Sequence, residues 1–75
     1  MNAKRRKRLS EANEQLNLAI SVIEDVIDEE QDSLDNTPEG LQESDAFSEK
    51  EESLENLVDA LEDLRLIIET IQSVL

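Results

Sequence analysis

One glycine and one proline occur in these 75 residues, and both stand in a single pentapeptide, Asn36-Thr37-Pro38-Glu39-Gly40. Gly and Pro punctuate local structure more strongly than other residues, so the chain has one obvious place to reverse. On either side of it, apolar residues recur at helical spacing. With Leu9, Leu16 and Ile23 at position a of a heptad, Ala12, Ala19 and Val26 fall at d, and Ile20, Ile27 and Leu34 at e. Beyond the break, Phe47, Leu54, Leu61, Ile68 and Leu75 occupy a, and Leu57, Leu64 and Ile71 occupy d. Ala60, Ile67 and Val74 stand at g, with Val58 at e. Alternation of the kind a strand needs is missing, and the filler residues Glu, Gln, Ala and Leu favour helices.

The pattern predicts an all-α fold, an antiparallel two-helix hairpin. Its first helix covers about 6–35, its hinge 36–47 and its second helix about 48–74. Residues 1–8 read as a basic N-terminal arm and 9–75 as one acidic domain. Ser48-Glu49-Lys50-Glu51 has the form of a capping box that opens the second helix. Pro38 and Gly40 set the turn, and Leu41 is expected to pack back on the helix pair as a plug.

A chain of this length buries only about 60% of its unfolded surface, and such small scaffolds usually carry a staple. Without Cys or His, disulfides, zinc thiolates and the commonest metal ligand and catalytic base are all missing. Association is the staple left. Each apolar stripe is three or four heptad positions wide, whereas one facing helix covers about two. Ile20, Ile27 and Leu34 on the first helix, with Val58, Ile67 and Val74 on the second, are therefore expected to face outward. Their burial would pair two hairpins in a four-helix bundle, a homodimer.

Charge gives the other signal. Seven basic residues oppose twenty acidic ones, a net charge of −13. Five of the seven are consecutive, Lys4, Arg5, Arg6, Lys7 and Arg8, so Lys50 and Arg65 alone oppose the acids from Leu9 onward. Folding back is expected to set the arm beside the C-terminal end of the second helix, where cations complement the helix dipole. The acids fall at b, c and f, almost without the i,i+4 Lys partners of ordinary solvated helices. Asp25, Asp28, Asp32, Glu55, Asp59 and Glu62 are the residues expected to meet a basic surface of a partner protein. Rows of carboxylates on a rod suit a Lys/Arg groove that otherwise binds phosphates. The same acids also suit a merely solvated surface. The arm offers a weaker route, direct nucleic-acid binding, which the acidic body opposes.

Equipment for catalysis is missing. The chain has no His, Cys, Tyr or Trp, and no serine has a base of suitable pKa fixed nearby. The calcium-loop pattern and the Glu-x-x-His of di-iron bundles do not occur, and one glycine makes no phosphate cradle. The expected product is non-enzymatic and cofactor-free. Glu24, Asp25 and Asp28, and again Glu62, Asp63 and Arg65, break the apolar stretches well short of the roughly 20 residues a membrane span needs. Asn13, Glu14, Gln15 and Asn17 stand where a signal peptide would be apolar, which predicts a cytoplasmic protein.

The segment Ile23–Leu54 carries an acidic run, Glu29-Glu30-Gln31-Asp32. It continues as Asp35-Asn36-Thr37-Pro38-Glu39-Gly40-Leu41-Gln42-Glu43-Ser44. In this it resembles a group of small acidic helical-hairpin proteins, of unassigned function, encoded by bacteriophages and prophages. The shared features are the basic start, an acidic first helix, a hinge of the type N-x-P-E-x-L-Q-x-S and a repetitive acidic second helix. The resemblance implies no site residues. It does imply a life in the host cytoplasm and an inhibitor of a host defence or nucleic-acid enzyme.

Repulsion among the carboxylates predicts that moderate salt, or a pH of about 4–5 where model carboxylates begin to protonate, raises the melting temperature. Thermal melts followed by circular dichroism check this, and a melting temperature lowered by both changes contradicts it.

Overall fold

A computed structural model describes all 75 residues as two long helices, α1 (Ala3–Asp35) and α2 (Asp45–Val74), packed against each other as a hairpin. A short 3-10 helix, Glu39–Leu41, lies in the connection.

Local chemistry explains each boundary. Asn2 has an extended backbone, and its Oδ1 accepts the Arg5 N–H at 2.9 Å, so α1 begins at Ala3 and the basic run is helical. At the other end the Asn36 backbone N–H and Nδ2 both donate to the Asp32 carbonyl, at 3.1 and 2.8 Å. Thr37 Oγ1 donates to the Ser33 carbonyl at 3.0 Å. These bonds satisfy carbonyls that a helix end leaves open, and Pro38, which lacks an N–H, cannot extend the ladder. Gly40 needs no left-handed backbone, since no residue has a positive φ, and open space surrounds the site of a Cβ.

Helix α2 starts earlier than its capping-box motif predicts. Ser44 Oγ accepts the Phe47 N–H at 3.2 Å and donates to the Leu41 carbonyl at 2.7 Å. Ser48 lies inside the helix, its N–H already bonded to the Ser44 carbonyl at 3.1 Å. Ser44 wins because it sits where the chain leaves the 3-10 turn, and the hinge shortens to 36–44.

The seam of α2 is the one expected: Leu54, Leu61 and Ile68 are buried, and Phe47, Leu57, Leu64 and Ile71 half-buried. On α1 the seam runs through Leu9, Asn13, Leu16, Ile20, Ile23, Ile27, Glu30 and Leu34, alternating steps of four and three. Two expectations change. Ala12, Ala19 and Val26 turn outward, and Ile20 and Leu34, expected on an outer interface, are buried within the hairpin, with Ile27 half-buried. The reason is geometric: a facing helix covers two heptad positions, and on α1 those are a and e. Ile20, Leu61 and Ile68 form the centre, with Leu16, Ile23, Ile27 and Leu64 packed on them. Leu41 is no plug; it is 57% exposed on its 3-10 turn.

Ile20 lies with Ile68, Leu34 lines one groove with Leu54, and Glu24 bridges to Arg65. This register sets Leu75 level with about Asn13, so the first ten or so residues of α1 overhang α2 by roughly 15 Å. The early turns of α2 overhang α1 by roughly 12 Å at the hinge, which accounts for a rod 59 Å long. The basic run is therefore not beside the end of α2 as expected but beyond it, and it takes part in no ion pair.

Only six residues are buried and no side chain is completely enclosed, so the core is a single seam. One of the six is polar: Asn13 is 5% exposed, and its Oδ1 has no hydrogen-bond partner. A buried amide at a seam position fixes register at a cost in stability.

Ser44→Ala is expected to cost about 1 kcal/mol and Ser48→Ala a few tenths at most, compared by urea titration; equal losses contradict the cap assignment. Asn13→Leu removes a buried unpaired oxygen and is expected to add roughly 1–3 kcal/mol, read as a higher melting temperature. A lower one contradicts it.

Candidate interaction surfaces

The helical period assigns each exposed side chain to a side of the rod. At 3.6 residues per turn, Glu24 stands roughly 80° round α1 from its seam, and Arg65 roughly 70° round α2 from its own. Arg65 Nη2 lies 3.3 Å from Glu24 Oε1. The ion pair shows that these two flanks share one broad side of the hairpin. The opposite flanks, at d on α1 and g on α2, must then share the other.

The first broad side is a carboxylate surface. Asp28 and Asp35 of α1 stand there with Glu55, Glu62 and Glu69 of α2, all exposed. Of the acids singled out from the sequence, Asp28, Glu55 and Glu62 come together on this side. Asp25 and Asp32 lie along the outer edge of α1, and Asp59 along that of α2. All six are exposed, but they wrap the rod instead of forming one plane. Val58 lies on the acidic side too, 39% exposed among carboxylates, which separates it from the other outward apolar residues. No group of acids is arranged to hold a metal ion, and the Glu24–Arg65 bridge is the sole ion pair among twenty acids.

The second broad side is largely apolar through its middle, with Asp63 and Thr70 of α2 exposed toward its outer margin. Ala12, Ala19, Val22 and Val26 of α1 lie there with Ala60, Ile67 and Val74 of α2. Val22 is 63% exposed, Ile67 51% and Val74 48%. Leu18 and Leu66 are exposed on the outer edges, away from this side. Ala12, Ala19 and Val26, which the heptad spacing assigns to the inner stripe, belong instead to this outward face. The signal was there in the four-three spacing of the seam from Leu9 to Leu34, interrupted only by the polar Asn13 and Glu30.

Charge is also polarised along the rod. Twelve of the twenty acids fall between Asp28 and Glu55, opposed there only by Lys50. The far end carries Lys4–Arg8 at the start of α1, whose first turn has no acidic residue. Met1, Arg5, Arg8, Leu9 and Ala12 line a shallow groove on this overhang, to which α2 contributes nothing.

No helix is long and apolar enough to cross a membrane. Comparison of the chain with protein-family models, curated proteins and solved structures found no match.

Proposed function

We propose that this chain is a non-enzymatic binding module whose carboxylate side engages a basic surface of another protein, by preference a groove that otherwise holds nucleic acid. The observation that carries the reading is the near-complete lack of internal neutralisation: among twenty acids, only Glu24 has a cationic partner. Carboxylates held on a stiff helical pair keep their spacing, so a Lys/Arg groove meets ordered negative charge. Such a groove binds nucleic acid largely by releasing counterions, and a polyanionic rod competes for that same gain. Long-range steering makes the encounter fast and sensitive to salt. The resemblance to small bacteriophage and prophage proteins makes a host protein, such as a component of a defence system, the target we favour.

A second reading, self-association into a four-helix bundle, is favoured by the exposed apolar side around Ile67, Val74 and Val26. Burial of that side completes a core that a single seam leaves thin.

The first reading is tested by capture from host lysate, followed by competition. The captured partner is expected to leave the chain when duplex DNA or RNA is added, and to bind the triple variant Asp28→Asn, Glu55→Gln, Glu62→Gln at least tenfold more weakly. A partner indifferent to both changes, or none at low salt, contradicts the reading.

A further inference from the structure

We infer that the apolar side docks a second copy of this chain in antiparallel orientation, setting the basic overhang of each copy on the acidic hinge end of the other. This rests on the self-association reading and adds to it a face, an orientation and a register.

The outward face of α1 has a directional order of residues. Read from the N-terminus it runs Arg5, Arg8, Ala12, Gln15, Ala19, Val22, Val26, Glu29, Ser33, in alternating steps of three and four. It starts basic, is small and apolar in the middle, and ends acidic and polar. Read in reverse, the face is its own complement. A two-fold axis across the helices near Ala19 lays Ala12 over Val26 of the second copy and Gln15 over Val22. The same rotation brings Arg5 and Arg8 within about one turn of Glu29. On α2 the axis keeps Ile67 and Val74 inside the joint, so the four helices stack two on two.

Electrostatics selects the orientation. Parallel stacking would set five cations beside five cations at one end and two acidic hinge ends together at the other. Antiparallel stacking replaces both repulsions with attraction, and charge of this kind decides register and partner more than raw affinity. The stagger of the hairpin contributes as well. Because Lys4–Arg8 lie beyond α2, that helix offers them no carboxylate and they form no ion pair, and the overhang has the reach to lie along another molecule. Five cations at a helix N-terminus also oppose the helix dipole, and acids such as Asp32 of the second copy relieve this. The Cα outline of the broad side, 59 by 15 Å, is on the order of the 800 Å² that each partner buries in a stable interface.

Zero-length carbodiimide cross-linking of a mixture of ¹⁴N- and ¹⁵N-labelled full-length chains, with mass spectrometry, is the direct test. Lys4 and Asp32, both on the outer edge of α1, are separated by roughly 42 Å along one rigid helix, so a link between them can form only between copies. Light scattering is expected to give a dimer, with Lys4, on the outer edge of α1, joined to residues in the span Asp28–Asp35 of the other isotope, and Lys7, which shares the carboxylate side with Asp28, joined less. A dimer linked only from these lysines to Glu11, Glu14 or Glu69 overturns the antiparallel register while leaving self-association standing. A monomer at every concentration overturns both. Charge reversal gives an independent arm: Arg5→Glu with Arg8→Glu is expected to weaken dimerisation at least tenfold, and adding Glu29→Arg and Asp32→Arg to restore it. These positions are exposed, so helicity by circular dichroism is retained. An unchanged dissociation constant in the first variant, or no recovery in the second, overturns the proposal.

Discussion

The zip of leucine and isoleucine between α1 and α2 is the contact on which everything else rests. Isolated helices of this kind are marginal in water, and tertiary packing of an amphipathic face supplies most of their stability. Here one seam does that work, with Ile20, Leu61 and Ile68 at its centre. Because side chains at steps of three and four fill one narrow band of each helix, every other position is pushed outward. The seam therefore sets the outer surfaces as well: it decides which carboxylates share a side with Glu24 and Arg65, and which apolar residues share a side with Ile67.

The seam also sets the stagger. Pairing Leu34 with Leu54, and not with the first turn of α2, slides the helices past each other. The slide leaves a cationic overhang at one end and a carboxylate-dense hinge at the other. The rod is thus polarised along its length and two-sided across its width. Those two asymmetries together constrain partners more tightly than the net charge does.

Much of this was legible in the residues. The sole breaker cluster at Asn36–Gly40 located the hinge, and the a and d positions of the second half named the α2 seam. Other features were not legible, for physical reasons. Asn13 and Glu30 occupy seam positions with polar side chains, and an apolar pattern read without them drifts onto Ala12, Ala19 and Val26. Ser48-Glu49-Lys50-Glu51 matches a capping box, but the start of α2 is decided by where the 3-10 turn releases the chain, at Ser44. The overhang depends on long-range pairing that no local spacing encodes, so the arm was expected beside α2. The acids were identified correctly as exposed, yet their division between one side and two edges needed the Glu24–Arg65 bridge to orient it.

The central claim, an antiparallel pair held by this seam, is tested most directly by a spin-label distance. Leu18 and Leu66 are exposed on the two outer edges, so nitroxides on cysteines there leave the seam untouched. Diluted among unlabelled chains, the labels should lie about 25–35 Å apart, the span of two packed helices plus the label arms. A distribution centred beyond about 60 Å, as a continuous helix through the hinge would give, or one without a defined maximum, would contradict the hairpin.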